Sequence, residues 1–286
     1  MLRLLFSRYF YYRNRKYKYT EVEIMQTRKL RKMIMVEENP LQKYYKQYLN
    51  SVSSLSRASV KHYIDAINNI SRNLCTKGLL KRDLYEVETV TRLNELWEIL
   101  QQDKDFLALN SRGHGMYSAG FNHYRKFASG ALFAKMQSGD IEPLDIPADP
   151  PARIIADNVE TWQRSDIIRR QVIEYAKYTC ELGGTAHKTF IVASTNHQYM
   201  EAHHAIPLHL QNNFANSLDV YANVICLCPV CHRKLHYGLN EDKRLMMDEI
   251  YEKRATRLEH AGLLISKENF ENTILERDES KYITRY

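Results

Sequence analysis

Glu201-Ala-His203-His204-Ala-Ile-Pro-Leu208, followed by Asn223-Val-Ile-Cys226-Leu-Cys228-Pro-Val-Cys231-His232-Arg-Lys-Leu-His236-Tyr-Gly238, is the stretch whose reading decides the fold. Seven of the eleven histidines and four of the five cysteines lie in the span from Cys180 to His236, both included. Packing gives no reason to gather imidazoles and thiols in so short a span. Two metal sites do, and they ask different things of the chain.

Cys228 and Cys231 form a C-x-x-C knuckle, whose turn points two thiolates at one ion. Cys180 with His187 can supply the other half of a tetrahedral zinc site built from three cysteines and one histidine. Thioredoxin-like proteins use the same C-x-x-C for redox chemistry, but no βαβ pattern surrounds this one, and Pro229 just ahead of Cys231-His232 favours a knuckle that opens a helix. Upstream, Cys180-Glu-Leu-Gly-Gly-Thr-Ala-His187 is not a second C-x-x-C, so the fourth ligand is His187, His197 or absent. Cys226 alternates with Ile225 and Leu227 and reads as a buried strand residue.

The second site would do chemistry. His232 and His236 are four apart, so on a helix they share one face about one turn apart, a spacing suited to holding one cation. His203 can complete a three-imidazole set. In an extended segment His203 and His204 point to opposite sides, so one can bind metal while its neighbour acts as a base toward a different volume. An imidazole titrates near neutrality, so His204 can accept a proton from water at physiological pH. Asn223, in the return strand, can bond the backbone of the His204 loop and fix the ring's direction.

In order along the chain, Glu201 to His204 reads E-x-H-H, Asp219 to Asn223 reads D-x-x-x-N, Leu227 to His232 reads L-C-x-x-C-H, and His232 to His236 reads H-x-x-x-H. From Tyr178 to Gly238 the chain thereby resembles the HNH nucleases, in particular the cysteine-containing branch found in bacterial restriction enzymes. The resemblance implies a ββα-metal fold, a hairpin carrying two histidines and then a helix carrying metal ligands. Residue by residue, it implies His204 as general base, His203 and His232 as metal ligands, His236 as the third ligand of the colicin-type members, and Asn223 as the middle letter. The missing second C-x-x-C is the departure from the family's pattern.

The function implied is a metal-dependent DNA endonuclease of restriction type that leaves 5′-phosphate and 3′-hydroxyl ends. A nicking or homing HNH endonuclease and a non-catalytic, zinc-stabilised DNA-binding module are the alternatives. A binding module has no reason to keep a base beside three histidines. The catalytic ion would be divalent Mg, Mn, Ni or Zn, three imidazoles suiting the last three better than Mg, and the structural ion Zn. Arg233 and Lys234 beside the site either neutralise the phosphate or are plain surface charges. Double-stranded DNA is the expected partner, and a homodimer supplies the two active sites that a double-strand cut requires.

At 286 residues with 44% hydrophobic content the chain can build real cores. No run of about 20 apolar residues marks a membrane span, and cysteines assigned to metal fit a reducing cytoplasm. The formal charge of +7 is unevenly spread: residues 1–34 hold ten Lys/Arg against two Glu, leaving 31 basic and 32 acidic residues for the rest. This basic arm, taken as 1–39, interleaves Tyr9, Tyr11, Tyr12, Tyr17 and Tyr19 with Arg13, Arg15, Lys16 and Lys18. It either contacts phosphates and bases or is a leader of little function, even one translated from too early a start, with Met33 or Met35 as the later one.

The expected fold class is mainly α with a small α+β domain. A helical bundle spans 40–138, where Tyr45, Tyr48 and Leu49, then Val60, Tyr63, Ile64, Ile67, Ile70 and Leu74, recur at three- and four-residue steps; Ser56 is a cap, and Leu84–Leu100 and Tyr117–Phe127 are further helices. Leu55–Tyr63 and Ser118–Phe127 resemble the small helical domain with which tyrosine recombinases grip DNA, and a scaffold bundle or dimer surface is the alternative. Under that resemblance Lys61, His62, Arg112, His114, Arg125 and Lys126 would face DNA. Four of the seven prolines fall in Ile141–Pro151, predicting a semi-rigid linker over 139–160. A nuclease domain over 161–240 then begins with a helix from Thr161 to Tyr178. An extension over 241–286 follows, amphipathic from Lys243 to His260 through Leu245, Met246, Ile250, Tyr251 and Leu258.

Overall fold

The computed structural model describes residues 9–12, 15–18, 39–156 and 159–275, in two compact units, 1–38 and 39–286. Within the first unit, β1 (Tyr9–Tyr12) and β2 (Arg15–Lys18) pair antiparallel, Tyr9 opposite Lys18 and Tyr12 opposite Arg15. The rest of the basic arm, and any nucleic-acid contact by its side chains, lies outside the described residues.

The second unit begins with α1 (Pro40–Ser51). Asn39 caps it by accepting from the Leu41 amide at 2.9 Å, Pro40 occupies the first turn where no donor is needed, and Leu41, Tyr44, Tyr45, Tyr48 and Leu49 form the buried face. Ser56 caps α2 (Arg57–Thr76), accepting from the Ser59 amide at 3.2 Å. The helix expected from Leu84 starts later. Leu84–Glu86 is a separate 3-10 turn, and Thr89 caps α3 (Val90–Gln102). Asp103 ends that helix and caps α4 (Lys104–Arg112), an element the apolar spacing does not announce. α5 (Met116–Ala128) packs on α2, and Gly120 permits the approach, since a β-carbon there would sit 2.7 Å from Ala66 Cβ.

The bundle and the nuclease region share one hydrophobic core. Tyr221 joins them: its ring meets Tyr44 edge-on at 4.8 Å and stacks on Phe133 at 5.6 Å, and its hydroxyl donates to Gln171 Oε1 at 2.6 Å. The Gln171 amide in turn donates to the Phe127 carbonyl at 2.7 Å. Each fully buried ring of this size contributes roughly 1.5–3 kcal/mol, so the junction stabilises both halves together.

The Pro-rich stretch, expected as a semi-rigid linker over 139–160, is packed against the shared core. Ile141, Leu144 and Ala148 are buried in the shared core, and the buried Asp145 accepts two hydrogen bonds from Arg257 at 2.6 and 3.0 Å. Prolines stiffen the backbone, Pro143 inside the 3-10 turn Glu142–Leu144, and the apolar residues between them pin it down. The stretch ends in a hairpin, β3 (Arg153–Ala156) with β4 (Val159–Trp162), Arg153 opposite Trp162. Because Val159–Trp162 is strand, the next helix, α6 (Asp166–Tyr175), starts at the Ser165 cap and not at Thr161.

After a small hairpin, β5 (Ile191–Val192) with β6 (His197–Gln198), comes the unit that positions the site. β7 (Glu201–His204) pairs antiparallel with β8 (Val224–Leu227), His203 opposite Ile225 and His204 opposite Val224, and α7 (Pro229–Tyr237) follows. This is the ββα arrangement, and the fold is mainly helical with small two-stranded sheets. α8 (Asn240–His260) buries Met246, Met247, Ile250 and Leu258, while Leu245, expected in the same stripe, is exposed; α9 (Lys267–Leu275) packs against it. Among the described residues no helix is long and apolar enough to cross a membrane.

Candidate active site and metal centres

Cys180, His187, Cys228 and Cys231 come together, their ligating atoms all within 4.8 Å of one another. Cys228 is the N-cap of α7, its sulfur accepting from the Cys231 amide at 3.4 Å, so the start of the helix and the knuckle are one feature. His187 Nδ1 lies 3.3 Å from the Cys231 sulfur and 3.8 Å from that of Cys228. Gly183 makes room, since a β-carbon there would overlap the His187 ring. His197, the other histidine the sequence leaves open, stacks on Tyr178 with ring centroids 4.1 Å apart. Cys226 lies in β8 outside the cluster.

The thiols of this cluster differ. Burial raises Cys180, but the Cys228 backbone, the His187 ring and the backbone of Leu182 and Gly183 together bring it down to about 7. Burial pushes Cys231 up, and its neighbours Cys228 and Cys180 push it further. Uptake of a cation by these donors therefore displaces protons. Three sulfurs and one imidazole at tetrahedral reach fit zinc.

The second cluster is all imidazole. His203, on β7, and His232 and His236, one turn apart on α7, place their ligating atoms within 4.8 Å of one another. The rings are mutually edge-on, with centroids 4.9, 5.0 and 4.8 Å apart, and the Nε2 atoms of His232 and His236 are separated by 3.2 Å. Glu201, the first letter of E-x-H-H, contacts His232 Nδ1 with one carboxylate oxygen and accepts from the Tyr199 hydroxyl with the other at 3.1 Å. A carboxylate on the outer nitrogen turns the inner one toward the cluster. The bond that the Tyr199 hydroxyl donates to Glu201, with the Glu201 charge, raises the Tyr199 phenol.

His204 points elsewhere. Its Nε2 lies 2.8 Å from Asp219 Oδ1, with both side chains nearly buried at 9% and 5% exposure. The second oxygen of Asp219 accepts from the Ser165 amide at 2.7 Å, tying the pair to the N-terminus of α6. Asn223 is fully buried immediately before β8 and closes the loop from three sides. Its oxygen accepts from the Ile206 amide at 2.7 Å, and its amide donates to the carbonyls of Ile206 and Leu218 at 2.9 and 2.8 Å. One side chain thus fixes both the segment after His204 and the segment before Asp219. Such a network, buried and satisfied, holds ring orientation rigidly.

His203, His204, His232 and His236 open onto one cleft of about 390 Å³. Its other wall comes from the segment read as linker and helix, with Arg153, Trp162, Arg164 and Arg169. Arg233 and Lys234 follow His232 on α7 but do not line the cleft: Lys234 pairs with Asp242 at 2.9 Å, and Arg233 lies exposed 6.0 Å from the Tyr237 ring. Lys61, His62, Arg112, His114 and Lys126 are exposed on or beside the bundle helices, whereas Arg125 lies over the Trp97 ring at 5.5 Å and bonds Asn94 and Asn122. Sequence reading missed the parts played by Asp219 and Glu201, although both stand inside the quoted motifs. It missed the arginine wall altogether.

Residues 187–238 match the family model for HNH endonucleases, so the chain carries an HNH endonuclease domain. Over 88 residues the chain is 28% identical to the type IV methyl-directed restriction enzyme EcoKMcrA of Escherichia coli (strain K12). That stretch covers 31% of this chain and 29% of the relative. No significant match is found among solved structures.

Proposed function

From the premise of an HNH endonuclease domain at residues 187–238, we propose that this chain is a metal-dependent DNA endonuclease of restriction type that hydrolyses phosphodiester bonds to 5′-phosphate and 3′-hydroxyl ends. The observation that carries the reading is the meeting of two unlike histidine environments at one cleft, three imidazoles converging on a point and a fourth held apart by a buried carboxylate.

His203, His232 and His236 would hold the catalytic cation, and their all-nitrogen donor set suits Zn, Ni or Mn more than Mg. When bound, that ion supplies positive charge to a phosphate and its leaving oxygen. The chain's own residues do the rest. In the tautomer this role requires, His204 would donate from Nε2 to Asp219 Oδ1 and keep Nδ1 as the acceptor for a proton from water. Asp219 and Asn223 fix that direction, as the third member of a catalytic triad orients its histidine. Glu201 does the same for His232. Cys180, His187, Cys228 and Cys231 would hold zinc as a structural brace at the start of α7.

The bundle over 40–138 is proposed as the DNA-recognition part, and a homodimer on duplex DNA as the cutting form. The test is cleavage of supercoiled plasmid, methylated and unmethylated, with divalent cations added singly and the ends sequenced. The reading predicts linear product with 5′-phosphate ends and little nicked intermediate. Accumulation of nicked circles by a chain that light scattering finds monomeric on DNA points to a nicking enzyme instead, and absence of any cleavage rejects the reading.

A further inference from the structure

Outside the first 34 residues the chain is balanced, with 31 basic against 32 acidic residues. The cleft departs from that balance. Arg153, Arg164 and Arg169 line it with Glu160 as the acidic side chain among its lining residues. They come from one short segment, the hairpin β3–β4 and the start of α6, so the fold concentrates cations opposite the histidines.

Each arginine is presented differently. The Arg153 guanidinium lies over the Trp162 ring at 4.4 Å, and its nitrogens donate to Glu160 at 2.5 Å and to Asn212 Oδ1 at 3.0 Å. Stacking on Trp162 and the bond to Asn212 orient the fork before any ligand arrives, while the pair with Glu160, its side chains 41% and 58% exposed, exchanges readily. Arg164 is exposed and has no ion pair among the described residues. Arg169 makes an intrahelical pair with Asp166 at 3.3 Å, both side chains well exposed, an interaction that stabilises little and exchanges readily. A single small anion would need one such fork. Three on a continuous wall, in a cleft that focuses their field, suit a repeating anion.

We propose that Arg153, Arg164 and Arg169 form a phosphate-binding wall that grips the backbone of the substrate strand beside the bond being cut. The hairpin β3–β4 is then a positioning element of the nuclease. This rests on the nuclease reading above, and places the guiding cations on Arg153, Arg164 and Arg169 in preference to Arg233 and Lys234. The wall binds and orients the strand and takes no part in proton transfer.

The test measures affinity for a short DNA duplex against salt, in a His204→Ala chain so that the DNA stays intact. Removing one phosphate-binding charge lowers the slope of log affinity on log salt by roughly 0.9. Arg164→Gln with Arg169→Gln should lower it by about 1.8, Arg153→Gln by about 0.9. Arg233→Gln with Lys234→Gln should leave it unchanged. Zinc content and unfolding temperature equal to the parent's establish that the variants fold. Cleft variants that fold yet keep the parent's slope, while the wild-type chain cuts DNA, overturn the wall and leave the nuclease reading standing. A wild-type chain that neither cuts nor binds duplex DNA removes both.

Discussion

The two clusters are close in reach and opposite in chemistry. Both bring their ligating atoms within 4.8 Å, and both draw on α7. One is three sulfurs and an imidazole with the sulfurs buried, packed under the helix N-terminus. The other is three imidazoles opening onto a cleft, with a fourth histidine beside it. A site that only braces the fold fills its coordination from the chain, whereas a site that works keeps a side open. The comparison teaches that donor type and access, more than proximity, divide structural from catalytic duty.

The sharpest way to break that division is at the knuckle. On the proposed reading Cys231→Ser removes a zinc ligand on which folding of the domain would depend, since a structural zinc contributes roughly 10–16 kcal/mol of apparent binding energy in small fingers. The expected outcome is an insoluble chain, or a soluble one without zinc and with reduced helical signal by circular dichroism.

At the open site the penalty falls on rate. His204→Ala should lower cleavage by about 100- to 10,000-fold, the usual cost of removing a general base, with zinc content and duplex affinity retained. Near-normal cleavage would remove His204 from the mechanism. A smaller effect belongs to the carboxylate behind the ligand. Glu201→Gln should weaken the catalytic cation by roughly 10- to 100-fold, read as a rightward shift in metal activation of cleavage.

The smallest effect comes from Glu88, whose charge is felt beside Asp219. Burial raises its carboxyl to about 7 from an ordinary 4.5, only partly offset by a hydrogen bond with Gln163. The folded chain then holds this proton more tightly than the unfolded one, so stability rises as pH falls through 7 toward 4.5 and the penalty is complete above 7. Glu88→Gln should therefore stabilise the chain above pH 7, by at most about 1 kcal/mol given solvent screening of a partly exposed group, and change nothing below pH 4.5. Denaturant titration at both pH values reads the difference.

How much of this could be read in the sequence depends on the distance over which each feature is encoded. Four-residue spacing on a helix is local, so the shared face of His232 and His236 is legible, as is the alternation that parts His203 from His204. The choice between His187 and His197 is not, because it turns on a loop in which Gly183 lets one ring in and Tyr178 stacks on the other. Asp219 lies fifteen positions after His204, beyond the 3-10 helix Leu208–Asn213, and no periodicity announces that pairing. The packing of the Pro-rich stretch is not legible for a related reason. Proline content reports a stiff backbone but not whether Ile141 and Leu144 beside it are buried, and once they are, the stretch is scaffold and its end becomes a wall of the cleft.

Counting metal and activity together in His236→Ala tests the division most directly. The expected variant keeps one tightly held zinc, unfolds close to the wild-type temperature and no longer cleaves DNA. A variant that sheds its zinc and its fold together, or one that goes on cutting DNA, contradicts that division.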